Sequence, residues 1–486
     1  MQYSPPPPHQ TLTQLGFRAA LLRATLNHAA RTRDLSLLLR PSTSTSTAAA
    51  AAAAASPRRL LDAAWADCRQ LYGSTVRLLA QSAAPTAGSQ SRLSAAAASL
   101  RACPRGFAEL GLSAAWPASP FSGTNLSESV SNLLAINAAL APPVDSGGFV
   151  NRRLLQQHFS PAAAAATDAD VVVAKDGSGD YRTISEAVAA AAARRKRGSD
   201  GARRFVIYVK EGVYDENVRV TYDVPNLVMI GDGVDRTVVT GSRSVGDGST
   251  TYSSATFSVA GDGFIARGIT FENTAGPQMY QAVAACVESD LAVFYQCSFR
   301  GYQDTLYVFS RRQFYRECDI YGTIDFVFGD AAAILQSCNL YIRRPLDGQM
   351  NSVTAQGRSD PNENTGIIVH GSVVAAAADL RAVSGAFKSY LGRPWGSYSR
   401  TVFMKTSMDG SIDPAGWLPW SGSFGLNTLY YGEYLNSGVG ADTSRRVRWP
   451  GYHVMSTVEA LQFAVGTFLA GDAWIVAAGV PVTLGL

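Results

Sequence analysis

The sequence predicts an all-β fold, a parallel β-helix, preceded by a small α-helical region. Three observations carry that prediction. The grammar of the 486-residue chain changes near Asp170, where Ala- and Leu-rich segments with helical spacing give way to short β-rich runs set between Gly, Asp and Asn turns. No alternation of strand and helix follows, which argues against a doubly wound sheet. Finally, one element recurs at Ile269-Thr270-Phe271, Cys297-Ser298-Phe299, Cys318-Asp319-Ile320 and Cys338-Asn339-Leu340, at intervals of 28, 21 and 20 residues. A period of roughly 20 residues suits coils of three short strands stacked on one another, the longer interval being a coil with an inserted loop.

Taken in order, residues 1–57 are expected to be disordered. "MQYSPPPPHQTLTQLGF" has no basic stretch followed by an apolar one, so no secretory signal is readable. "PSTSTSTAAAAAAAASP" is a low-complexity tract. Residues 58–150 read as helical, with "RLLDAAWADCRQLYGSTVRLLAQS" and "NLSESVSNLLAINAAL" spaced three and four apart. Cys68 and Cys103 fall on two such helices, where a disulfide would staple them. Residues 151–167 form a linker. The span 168–486 holds the β-helix, opening with one helical insertion, "TISEAVAAAAARRK", before the runs "RFVIYVKEGVY", "NLVMIGDG", "RTVVTGS" and "FIARGITFEN".

Composition excludes several functions. The net charge is +4, and the one basic cluster, "ARRKRG", reads as a solvated helix end, so no nucleic-acid partner is expected. No apolar run is long enough to cross a membrane. Six cysteines without a CxxC pair, and only five histidines, leave no zinc site. The scarce histidines and the missing G-x-S-x-G also argue against a Ser-His-Asp hydrolase. No metal or cofactor is expected.

The stretch "GYQDTLYVFSRRQFYRECDIYGTIDFVFG" sets two carboxylates, Asp304 and Asp325, in aromatic surroundings 21 residues apart. That is the interval from Cys297 to Cys318, and Gln281 precedes Gln303 by 22. With rungs about 4.8 Å apart, Gln281, Gln303, Asp304 and Asp325 should form one surface cluster. Two like charges about 5 Å apart repel by roughly 3 kcal/mol at an effective dielectric near 20, about two pKa units. Such a pair shares one proton, and unequal surroundings make one member an acid and the other a base or nucleophile. An Asp/Asn ladder would sit among Gly and Asn, whereas the neighbours here are Tyr307, Phe326 and Phe328, which suit a sugar-binding cleft. The amides can donate to an oxyanion, which tilts the chemistry toward ester cleavage by a carboxylate nucleophile. The same period stacks Cys297, Cys318 and Cys338. Spacing alone allows a disulfide from Cys318 to either neighbour, or a column of free thiols.

"GVYDENV" (212–218), "QAVA" (281–284), "GYQDTLY" (301–307), "DFVFG" (325–329) and "LGRPW" (391–395) resemble, in order, the five signature blocks of pectinesterases, and the similarity spans about 315 residues. The resemblance implies a right-handed β-helix that hydrolyses methyl esters of homogalacturonan to pectate and methanol, acting as a secreted cell-wall enzyme and a monomer. It implies Asp325 as nucleophile, Asp304 as acid and then base, and Gln281 and Gln303 as the oxyanion site. Arg393 would orient Asp325, with Trp395, Tyr307, Phe328 and Thr251 as substrate contacts. It implies a Cys318–Cys338 disulfide. The N-terminal region resembles a shortened pectinesterase-inhibitor-like pro-region, a partial four-helix bundle whose first helices are missing and whose disulfide is Cys68–Cys103. "NRRLL" (151–155) resembles its dibasic processing site. A proteinaceous inhibitor is a further expected partner. Tyr280 stands where that family usually has His, and Asp330 where it has Asn. The alternative is a non-catalytic wall-binding or pectinesterase-inhibiting protein.

Overall fold

The structure, a computed structural model, describes residues 8–39, 56–140, 169–196 and 203–486. The low-complexity tract, the linker 151–167 and its dibasic sequence lie outside them. The described chain divides into a helical unit, which also takes in Asp247–Ser253 and Asp360–Asn364, and a β unit.

Among the described residues, four α-helices build the helical unit: α1 (Pro8–Leu38), α2 (Pro57–Ala80), α3 (Ala87–Glu109) and α4 (Leu126–Leu140). The expectation of a disordered N-terminus spanning 1–57 is therefore corrected over Pro8–Leu38, and the first helix is not missing. Its buried stripe explains why it was hard to read. Arg18, Leu22, Thr25, Ala29, Thr32 and Ser36 recur at helical spacing, but most are polar or small, so no apolar periodicity marks them. Arg18 is buried because its fork is fully used: it donates to Asn137 Oδ1 at 2.7 and 3.1 Å and to the carbonyls of Ser82 and Ala83 at 2.8 and 2.7 Å. Trp65 Nε1 donates to the Ser36 carbonyl, fixing α1 to α2. Ser56 and Thr86 cap α2 and α3 through side-chain oxygens. Cys68 and Cys103 form the expected disulfide between those helices.

The β unit is a parallel solenoid. One sheet runs in strict chain order from Val171–Val173 to Tyr452–Val454, and a second runs in chain order from Gly212–Asp215 to Ser407–Met408. Every pairing is parallel, so each coil returns to lie on its predecessor. The interior is a column of aromatic rings, with Phe271 stacked on Phe299 at 5.6 Å and Phe294 on Tyr315 at 5.1 Å.

The cysteine column occupies one corner of that interior, and here a second expectation is corrected: Cys318 and Cys338 are buried thiols outside any disulfide, as are Cys286 and Cys297. The register Ser298–Asp319–Asn339–Val373–Ser407 places Cys297, Cys318, Cys338, Ser372 and Thr406 at one position on successive coils. Each donates to the carbonyl two residues before it: Cys297 to Tyr295, Cys318 to Arg316, Cys338 to Gln336, Ser372 to His370 and Thr406 to Met404. The thiols thus do the work of the hydroxyls further along the column. Burial pushes the Cys318 thiol well up, away from the thiolate that disulfide exchange requires. Unfolding the unreduced protein should expose four titratable thiols. Only two would show that Cys318 and Cys338 are bridged.

Candidate active site

The two aspartates enter the site by the same local device. Each sits at the end of a turn, two residues before a strand begins at Leu306 or Val327, and each has left-handed backbone, φ 64° at Asp304 and 52° at Asp325. Aspartate tolerates that conformation better than most side chains. Leu306 pairs with Val327, and the Asp304 N–H donates to the Ile324 carbonyl at 3.0 Å, so the 21-residue offset holds back to the aspartates. Asp304 and Asp325 are rung mates on neighbouring strands, which lie about 4.8 Å apart. Both are buried.

Gln281 reaches Gln303 through a local irregularity. Ala285 pairs with Leu306, but the Ala284 and Ala285 N–H groups both donate to the Thr305 carbonyl, and the Ala282 N–H donates to the Gln303 carbonyl at 3.2 Å, so the offset widens by one residue and Gln281 lies opposite Gln303. The extra residue accounts for the 22-residue interval. Both glutamines are half-buried, and among the described residues neither side-chain amide has a hydrogen-bonding partner within the protein. Their donors are open to a ligand.

Arg393 follows the strand Ser389–Gly392, which pairs with Asn351–Gln356, and that strand pairs in turn with Val327–Gly329. Its fork grips Asp325 in bidentate fashion, Nε to Oδ1 at 2.8 Å and Nη2 to Oδ2 at 2.6 Å. Burial opposes the guanidinium charge, but the carboxylate of Asp325, helped by Asp304, raises the Arg393 pKa above its ordinary value. The bidentate pairing fixes the orientation of the Asp325 carboxyl group.

Aromatic rings wall the same region. Tyr307 stacks on Phe328 at 4.1 Å, and Trp395 meets both edge-on, at 6.3 and 5.8 Å. Gly357 leaves room for Trp395, since a Cβ there would come within 2.8 Å of the indole. A polar knot fixes the segment that carries Arg393 and Trp395. The Gln356 carbonyl accepts from Gly396 N, and its side-chain oxygen accepts from the Arg358 and Arg400 N–H groups. Its amide donates to Asp330 Oδ1 at 3.2 Å, where Thr365 also donates. Asp330 is thus a member of this knot. Trp420, which had no readable sequence signal beyond its place in "WLPW", lies under Arg393 with the guanidinium 4.5 Å from its ring. Thr251 falls in the helical unit, where its backbone N–H donates to the Glu109 carboxylate at 2.8 Å.

A pair of carboxylates on adjacent coils of a parallel β-helix, one of them clamped by arginine, with open amide donors on the same coils, is the equipment of a hydrolase that uses a carboxylate nucleophile. Comparison with known proteins narrows this. The pectinesterase family matches residues 170–472, and the plant invertase/pectin methylesterase inhibitor family matches residues 2–136. The chain is 52% identical over 439 residues to probable pectinesterase/pectinesterase inhibitor 17 of Arabidopsis thaliana and 49% identical over 437 to pectinesterase 2 of Citrus sinensis; each alignment covers 87% of this chain and 82% of the relative. Among solved structures, a pectin methylesterase from carrot is 54% identical, with a TM-score of 0.63 over 65% of this chain and 98% of its own. One from Aspergillus niger is 29% identical, with a TM-score of 0.54 over 65% and 97%. The chain belongs to the pectinesterase family.

Proposed function

We propose that this enzyme removes methyl groups from the galacturonate esters of pectin by the following steps. Asp325, held anionic by Arg393, attacks the C6 carbonyl carbon. The tetrahedral oxyanion is received by the side-chain amides of Gln281 and Gln303. Asp304, protonated because its rung mate carries the charge, gives its proton to the departing methanol. It then takes a proton from water, which attacks the acyl carbon of the Asp325 adduct, releasing the free acid and restoring both carboxyl groups. Tyr307, Phe328 and Trp395 hold the sugar face. The single observation that carries the reading is the rung register of Asp304 and Asp325 with the Arg393 clamp on one of them.

Methanol release from methylesterified pectin tests it. Release without shortening of the polymer is expected. No methanol across a wide pH range would favour the inhibitory or wall-binding alternative, and a fall in viscosity without methanol would mark a chain-cleaving enzyme. A substrate built into the wall implies secretion, and a tagged protein retained inside the cell would contradict that. We expect a monomer, open to a proteinaceous inhibitor of the type its own N-terminal region resembles; a dimer mass in solution would contradict the monomer.

The planar fork at Asp325 makes a further prediction. Arg393→Lys keeps the charge but loses the second hydrogen bond, and kcat should fall by about 10²-fold with a smaller change in KM. An unchanged kcat would remove Arg393 from the mechanism.

A further inference from the structure

One residue before Gln281 the backbone does something an ordinary side chain avoids. Tyr280 has φ 61° and ψ −140°, a region that is essentially restricted to glycine. The cause lies on either side of it. Before it, the turn Pro277–Met279 is pressed onto Gly246, where an added Cβ would come 3.1 Å from both the Cα and the carbonyl oxygen of Met279. After it, the Gln281 carbonyl accepts from the Val245 N–H at 2.9 Å, and the Ala282 N–H donates to the Gln303 carbonyl at 3.2 Å. Both ends are fixed by the fold, and the one residue between them must make the turn. Glycine would make it freely, yet the position holds a large aromatic side chain that is 62% exposed. Among the described residues its ring has no hydrogen-bonding or ring-stacking partner, so packing does not account for it. Tyr307, Phe328 and Trp395 are aromatic but largely enclosed by one another. Tyr280 instead presents its ring to solvent beside an amide whose donors are open.

We infer that Tyr280 is a further substrate-contacting residue, whose ring receives a galacturonate unit of the pectin chain flanking the one that reacts at Asp325. The inference rests on the reading of the site as a pectin methylesterase cleft. The strained turn sets the ring and Gln281 in fixed relation, so a sugar lying on the ring aligns the chain with the oxyanion donors.

The test uses the full chain carrying Asp325→Asn, so that ligand is not consumed, and titrates a methylesterified galacturonate hexasaccharide by calorimetry. Adding Tyr280→Ala should weaken binding about 3- to 10-fold, while Tyr280→Phe should bind within about two-fold of the Tyr280 protein. Thermal unfolding should show Tyr280→Gly more stable than Tyr280→Ala, because glycine relieves the turn. Equal affinity with and without the ring overturns the inference, as does a protein that binds no hexasaccharide at all. A Gly variant no more stable than the Ala variant removes the strain on which it stands. Methanol release by the otherwise unaltered chain reads the esterase function separately: binding that depends on Tyr280 without any methanol would refute the esterase and leave the contact standing.

Discussion

Asp325→Ala and Asp325→Asn should each lower the rate of methanol release by roughly 10⁴-fold or more, since removing a nucleophile eliminates the covalent route rather than weakening it. The two variants should differ in stability. Asn keeps an oxygen for the Arg393 fork, whereas Ala leaves a largely buried guanidinium without its carboxylate, a loss of about 1–3 kcal/mol for hydrogen bonds to a charged group. Asp325→Asn should therefore remain folded and inactive, with the parallel-β circular dichroism spectrum unchanged. Turnover within about ten-fold of the parent by either variant would show that another group attacks the ester.

Asp304→Asn should reduce kcat by about 10²- to 10⁴-fold, the range for loss of a positioned proton donor. Its KM should change little, because Asp304 acts on the leaving oxygen and the water rather than on the bound sugar. The pH profile carries the sharper expectation. With both aspartates present, activity should fall at higher pH as Asp304, the proton donor, loses its proton. With Asn at 304 the high-pH limb belonging to that carboxyl should disappear. A residual activity whose high-pH limb is unchanged would assign the proton donor elsewhere.

How much of this was legible depended on whether a residue's role follows from spacing. The coil period was visible because inward residues such as Cys297, Cys318 and Cys338 recur wherever the chain turns into its second sheet, and the same period carried Asp304 onto Asp325. Spacing could not show what those cysteines do. Their equivalence to Ser372 and Thr406 depends on coils of irregular length, which hide the column until the register is seen. Gln281 faces Gln303 across 22 residues rather than 21 because the irregularity at Ala284 and Ala285 absorbs the extra residue, a detail that spacing does not show. Helix α1 carries no apolar periodicity because its buried face has one large apolar residue, Leu22, among Arg18, two threonines, an alanine and a serine. Trp420 reaches Arg393 only through the folded chain, as do Gln356 and Asp330 in the knot behind Trp395.

Hydroxylamine present during turnover of methylesterified pectin traps an acyl-carboxylate intermediate by converting the enzyme's carboxyl group into a hydroxamate, which peptide mass spectrometry then locates. The mechanism predicts a turnover-dependent label on Asp325 and none when substrate is withheld. A label on Asp304 or on any other carboxylate, with Asp325 intact, would contradict it.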